Sequence, residues 1–368
     1  MSLGHVIKRI LLCRIASLFW CLVWLLWTVQ AFAITVSLSS SPPPDTIRPD
    51  HDMAQVTLAV QHDGQPLNQG RVQVKVVAPA HPSLLSTDFP IVEATTLLEL
   101  ASDLRDGTFS FDYLFPIRGQ YTFDVALQPA AGSTQFAPTA MQIPWQIHES
   151  PSEIRNAWLL VFGLFMLGGV FGVILARSAQ AKSALLLTVV LVSTAMGMRA
   201  EGDVHHAPTQ TSQTPHVVRG EHGWALQVDS TPAQATVGQQ VQFDIVLTKD
   251  GEVFAEETEL AVDLHHIEDD KSIFKTTILA PKGETSQRLQ FFDGAPHRVM
   301  ITAHPANRDR AAEPPLQAVF DMGVNGIHPP MAIKLRTLTL FIGVLTIGMV
   351  VGWFCPVRRK ESGRASIC

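Results

Sequence analysis

The stretch that most constrains this chain is residues 157–176, AWLLVFGLFMLGGVFGVILA, which carries no charge and is closed by Arg177. A helix of that length, at roughly 1.5 Å per residue, spans about 30 Å, the thickness of a bilayer's hydrocarbon core. A soluble helix has one apolar stripe, not an apolar surface all the way round. The chain is therefore expected to sit in a membrane, and its remaining segments are read by the side on which they lie.

Two further runs extend that reading. Residues 337–354 are apolar or small and are followed by Arg358, Arg359 and Lys360, so 335–354 form a span ending in a cytoplasmic tail, 355–368, with Lys334 and Arg336 on the outer side slightly weakening the charge asymmetry. Residues 183–199 form another apolar run. The 177–182 connection before it carries Arg177 and Lys182 and no acid, which places that loop in the cytoplasm and makes 183–199 an outward crossing. Its apolar centre is short, about 22 Å of helix, so it either re-enters or relies on Arg199 snorkelling. Gly168 and Gly172, like Gly348 and Gly352, have the small-xxx-small spacing that lets helices approach closely, though glycine is also common in membrane helices generally. The spans hold almost no ionisable group, which argues against an ion or proton path through this chain alone.

At the N-terminus Lys8, Arg9 and Arg14 precede the apolar run 15–27 and the small-x-small site Ala31-Phe32-Ala33. This order predicts a signal peptide over 1–33, cleaved after Ala33, with an uncleaved anchor as the alternative. Either exports residue 34 onward. The expected location is the bacterial plasma membrane, multi-pass, with both soluble segments extracytoplasmic.

The first soluble segment, 34–150, reads as strand and turn. Val56, Leu58 and Val60 alternate before Asp63-Gly64. Val72, Val74 and Val76 alternate, and Asp106-Gly107 leads into Phe109, Phe111, Tyr113 and Phe115. Tyr121, Phe123, Val125 and Leu127 then share a face, and 141–147 closes the set. Alternation with turns every eight to twelve residues is the pattern of an antiparallel sandwich. Residues 97–104 could instead be a short helix. Residues 200–223 are polar, rich in Pro, Thr, Gln and His, and read as a linker. Residues 224–330 repeat the strand pattern, with Val241, Phe243, Ile245 and Leu247 leading to Asp250-Gly251. The expected fold is thus two immunoglobulin-like β-sandwiches plus transmembrane helices. The two segments look like copies: shifting 107 onto 283, with no gap, overlays Gly107 on Gly283, Phe115 on Phe291, Phe123 on Val299, Val125 on Ile301 and Pro129 on Pro305. A second shift brings Asp63-Gly64 onto Asp250-Gly251. Matching turns and alternation favour a duplicated module.

The order of sandwich strand, Asp-Gly turn, aromatic strand and closing strand ending in Pro resembles the YtkA-like and FixH-like extracytoplasmic immunoglobulin-type domains of bacteria. The match is best over 240–305, including Phe291-Phe292-Asp293-Gly294-Ala295-Pro296-His297, and weak over the first segment. The resemblance implies a small exported sandwich, often in proteins linked to metal handling or metalloenzyme assembly. It transfers no catalytic residue.

The net charge of −6 argues against nucleic acid as a partner. The four cysteines, Cys13, Cys21, Cys355 and Cys368, lie in or beside hydrophobic runs or at the C-terminus, so the soluble segments have no disulfide framework and no thiol nucleophile. The histidines His205, His206, His265, His266 and His297 are the candidate metal ligands, for a Cu, Ni or Zn ion, helped by Glu268, Asp269 and Asp270. Against this, no tight ligand spacing such as H-E-x-x-H occurs, and His297 can equally hydrogen-bond inside its own sandwich. No G-x-S-x-G and no phosphate-cradling glycine loop is present. The expected role is non-enzymatic. It is a tethered binding or interaction module, with the bilayer and a membrane or periplasmic protein as partners, such as a metal efflux system. A metal chaperone or sensor is the alternative.

Overall fold

The alternating segments form eighteen strands among the residues described by the computed structural model, which are 34–80, 89–130, 132–133, 135–177, 215–305, 315–328 and 331–354. Residues 1–33, read as an export signal, the connection beyond Arg177, the run 183–199, His205, His206 and residues 355–368, read as a tail, lie outside them. The first segment supplies β1 (Ile34–Ser41), β2 (Met53–His62), β3 (Gln65–Pro66), β4 (Arg71–Val77), β5 (Thr96–Asp103), β6 (Thr108–Leu114), β7 (Gly119–Gln128) and β8 (Thr139–Ile147). The second supplies β9 (His216–Arg219), β10 (Trp224–Thr231), β11 (Ala235–Thr236), β12 (Gln240–Lys249), β13 (Glu252–Val253), β14 (Thr258–His266), β15 (Lys271–Ala280), β16 (Glu284–Gln290), β17 (Pro296–Pro305) and β18 (Leu316–Asn325). Helix α1 (Pro151–Arg177) follows β8, and helix α2 (Met331–Phe354) follows β18. The fold is mostly β-sheet, with two apolar helices each long enough to cross a membrane.

The alternation places its apolar set inward. Val56, Leu58 and Val60 on β2, Phe123 and Val125 on β7, and Val241 and Ile245 on β12 are each at most 1% exposed. Each such side chain contributes roughly 1.5–3 kcal/mol of burial. Turns at Asp63-Gly64, Asp106-Gly107 and Asp250-Gly251 have positive φ at both residues, the geometry that matches hairpin twist and that Asp-Gly tolerates.

The strands do not close into two separate sandwiches. They form two sheets that each run through both segments. One has the order β1-β2-β6-β15-β14-β17-β18-β11, with β3 on β2. The other has the order β8-β7-β4-β5-β16-β12-β10-β9, with β13 on β12. The halves meet where β6 pairs with β15 and β5 pairs with β16. A single buried cluster takes residues from both sheets and both segments. Each sheet joins one trio to one quartet: β1-β2-β6 to β15-β14-β17-β18, and β10-β12-β16 to β5-β4-β7-β8. The two halves thus occupy equivalent places about a pseudo-two-fold axis between the sheets. Backbone hydrogen bonds repeat with it. The Val60 amide donates to Gly107 at 2.7 Å and Leu67 to Val60 at 3.0 Å; Leu247 donates to Gly283 at 2.6 Å and Phe254 to Leu247 at 2.9 Å.

Three local readings change. Residues 97–104, where a short helix was an option, lie mostly in strand β5, because Leu98 and Leu100 are needed on one sheet face. Residues 216–219, read as linker, form β9 at the sheet edge, with Val218 packed on the core. Helix α1 starts at Pro151, before the apolar run begins. The Ser150 carbonyl receives the Glu153 and Ile154 amides, Pro151 fixes the first φ, and Glu153 lies in the first turn.

The two helices pack as a parallel pair. A Cβ at Gly168 would fall on the Leu345 carbonyl, and one at Gly172 on that of Met349. One at Gly348 would fall on the Phe165 carbonyl, and one at Gly352 on that of Gly169. Contacting numbers rise together along both helices, so both run in the same direction. The contacts also exchange under the pseudo-two-fold: Gly168 with Leu345 matches Gly348 with Phe165. The four glycines are therefore at the helix contact, where missing side chains let backbones touch.

Candidate functional site

The polar feature that breaks the equivalence of the halves lies at one end of the second. There β14 ends at His266, a turn with Asp270 at positive φ leads to Lys271 on β15, and Asp293 precedes His297 on β17. The register sets Val76 beside Phe123 in the first half and Leu264 beside Val299 in the second. Continuing from these pairs, His266 stands where the first half has Ala78, and His297 where it has Tyr121. The 107-to-283 overlay puts Asp293 at the place of Ile117. An apolar end in one half is a histidine–carboxylate end in the other.

Proton positions follow from the partners. The Asp269 amide donates to His266 Nδ1 at 3.0 Å, so the ring carries its proton on Nε2, which donates to Asp293 Oδ2 at 3.2 Å. Asp293 Oδ1 accepts from the Gly294 amide at 2.7 Å. The Ala295 carbonyl can only accept, so His297 Nδ1 donates to it at 2.8 Å and leaves Nε2 as the acceptor of a neutral ring. The two rings stand 5.0 Å apart at 85°, and Phe291 packs 4.8 Å from His297. His266 and His297 are both buried. From this end Lys271 Nζ reaches the Asp50 carbonyl of the first half. Burial pushes the half-buried Asp50 carboxyl up, with Lys271 acting against it.

Burial holds His297 well below the ordinary histidine range, at about 4, and the neighbouring His266 pushes the same way. The sign follows. A histidine whose folded pKa is depressed is protonated first in the unfolded chain, so stability is highest above about pH 6.5 and falls as pH drops toward about 4. The loss is up to about 3 kcal/mol. Urea midpoints measured from pH 7 to pH 4.5 should fall. His297→Tyr, the residue the other half uses there, should flatten that slope. An unchanged slope in the variant would assign the effect to other groups.

Of the five candidate ligands, the three among the described residues, His265, His266 and His297, do not converge on one point. His266 and His297 are neighbours, but both nitrogens of His266 are engaged. His265 points to the opposite face, where Nε2 meets Asp270 Oδ1 at 2.9 Å. His205 and His206 lie outside the described residues. Among the described residues no three His, Cys, Asp or Glu side chains converge as a metal set. Asp293 was not anticipated as a partner of His266; the overlay on Ile117 was the signal that could have found it. His297 Tyr-like packing is the parallel case: Tyr121 donates its hydroxyl to the Ile117 carbonyl as His297 donates to Ala295. A separate cavity of about 580 Å³ opens on the outer face of the other sheet, lined by Gln73, Lys75, Glu99, Asp124 and Gln142 among others.

No protein-family model matches the chain, and no curated protein matches it. Among solved structures it is similar to a conjugative transposon lipoprotein from Bacteroides eggerthii, at 12% identity and TM-score 0.21, over 28% of this chain and 98% of that one. It is similar to the PmoD soluble domain from Methylocystis sp., at 15% identity and TM-score 0.22, over 33% of this chain and 95% of that one. A Salmonella alpha-2-macroglobulin is similar at 9% identity and TM-score 0.23, over 80% of this chain and 15% of that one. Likenesses this distant carry no argument about activity.

Proposed function

We propose that this chain is a non-enzymatic, membrane-anchored β-sandwich module of the bacterial plasma membrane, presenting its sheets outside the cytoplasm to a membrane or periplasmic protein partner. In this reading each segment is an immunoglobulin-like unit, α1 and α2 are transmembrane spans, and 183–199 returns the chain between them. The observation that carries the reading is the parallel helix pair. Both helices leave the ends of equivalent strands, β8 and β18, and expose large apolar side chains such as Trp158 (69%) and Phe162 (61%). Such a surface is expected to meet lipid. In this reading Arg177 lies across the bilayer from the start of α2, and 183–199 is the segment that brings the chain back to β9. The resemblance to YtkA-like and FixH-like domains supports an envelope or metal-transport setting.

The second reading, a Cu, Ni or Zn chaperone or sensor, is favoured by one observation: His266, His297 and Asp293 share one end of one half and are absent from the other. Photo-crosslinkers placed at exposed sheet positions of the full chain in its own membrane should give a discrete adduct with one envelope protein. Cu(II), Ni(II) and Zn(II) titrated calorimetrically into the full chain in micelles test the alternative. No adduct together with micromolar, histidine-dependent binding would replace the first reading by the second.

A further inference from the structure

The seam between the halves carries an ordered set of charges. In one sheet Arg288 of β16 faces Glu99 of β5, with Nη1 3.0 Å from Oε2. In the other, Lys275 of β15 is in register with Asp112 of β6. The pseudo-two-fold makes Glu99 equivalent to Lys275 and Asp112 equivalent to Arg288. At both crossings the first half therefore supplies the acid and the second half the base. On the first half's side Lys75 is also in register with Glu99 and with Asp124 on β7, so the row reads acid, base, acid, base across the sheet. At a third point Arg105 of the first half meets Glu257 at 3.1 Å and Glu259 at 3.4 Å. The register equivalent of Glu259 in the first half is Arg71.

The backbone does little to choose a partner here. Regular pairing covers three residue pairs in one crossing and two in the other. Since the two halves share one strand order, the edges β5 and β6 of one copy could in principle meet the same edges of a second copy. That pairing would set Glu99 against Asp112 at each crossing and Arg105 near Arg71. Two second halves would set Lys275 against Arg288. Like charges directly opposite across strands destabilise pairing, and unlike charges stabilise it. Exposed sheet edges invite such mispairing unless something opposes it.

We propose that the seam is a specificity surface: the acidic edge of the first half accepts only the basic edge of the second half, and pairing of like halves from two copies is rejected. Single exposed pairs are weak, with Arg288 48% and Glu99 24% exposed, so the four charges act as a set.

The test uses the full chain in micelles at low salt, in three forms. The first carries Glu99→Lys and Asp112→Lys, the second Lys275→Glu and Arg288→Glu, and the third all four changes. The first two should melt several degrees lower than the parent or gain a dimer by light scattering, and 0.5 M salt should shrink the difference. The third should recover the parent's mass and most of the lost melting temperature, stopping short of the parent because Glu99→Lys also faces Lys75 and Lys275→Glu also faces Asp263 within their own halves. If the first two cannot be obtained folded, recovery of folding in the third supports the proposal. Unchanged melting and mass in the first two, or a third form no better than either, would overturn it.

Discussion

Gly172→Ile should pull the two apolar helices apart, and Gly352→Ile should do the same from the other side. A side chain at 172 would need the space held by the Met349 carbonyl and the Trp353 amide, and one at 352 the space held by the Gly169 backbone. These are backbone atoms of a helix, which cannot rotate away as a side-chain end can. Overpacking typically costs about 1–3 kcal/mol, and a rigid obstacle puts each site toward the upper end. In a membrane the loss is not offset by any hydrophobic drive between helices, because lipid tails solvate apolar faces as well as a partner helix does. Gly163→Ile is the control, since a Cβ at 163 has open space around it. Unfolding of the full chain by SDS titration should shift for 172 and 352 and not for 163, with the near-ultraviolet signal of the sheets retained at low SDS. Equal behaviour of Gly163→Ile and Gly172→Ile would refute the close-packed pair.

The glycine spacing at 168, 172, 348 and 352 was visible in the sequence, but whether it marked a contact was not. Spacing places two glycines on one helix face; only the partner shows that the face is used. The inward sets on β2, β4, β7 and β12 were legible for a stronger reason. Apolar residues at every second position admit one inward face, and a slip of one residue would expose them all. The Asp-Gly turns were legible because few residues accept positive φ twice in succession. The seam was not legible. Its inward positions include Thr276, Thr285, Gln287 and Gln290, all buried, and polar residues at inward positions break the pattern that alternation reads. Strand β9 was hidden by its length of four residues and by its place at a sheet edge. The histidine–carboxylate end was half legible. His265, His266 and His297 stood out by type, but sequence could not say that the turn after His266 would send His265 outward and His266 inward to Asp293.

Gln287→Leu should open the seam in the sheet that holds β5 and β16. Gln287 is 5% exposed, and its amide treats Ala101 as a neighbouring strand would. Oε1 accepts from the Ala101 amide at 2.9 Å, and Nε2 donates to the Ala101 carbonyl at 2.9 Å and to Thr285 Oγ1 at 2.7 Å. The side chain thereby extends a crossing whose regular pairing is only Arg288 with Glu99 and Leu289 with Leu98. Leucine keeps the volume and removes every one of these bonds. Each buried group left unsatisfied costs about 1–3 kcal/mol, so the loss for the two Ala101 groups is about 2–4 kcal/mol with some access of water at this edge. The Ala101 amide should then exchange its hydrogen at least tenfold faster, while Val60 and Leu247, held by Gly107 and Gly283 within their own halves, should keep their protection under conditions of local opening. Gln287→Glu separates hydrogen bonding from shape. At neutral pH its carboxylate accepts from the Ala101 amide but cannot donate to the carbonyl, and burial favours the protonated acid, which can do both. The folded pKa is then raised above the unfolded value, so this group's contribution is present at low pH and lost as pH rises through the folded pKa. Stability of Gln287→Glu should therefore improve relative to Gln287→Leu as pH falls from 7 toward 5. An Ala101 amide equally protected in all three chains would mean that the halves are held by the aromatic and aliphatic core alone, and that the polar seam sets which halves pair without holding them together.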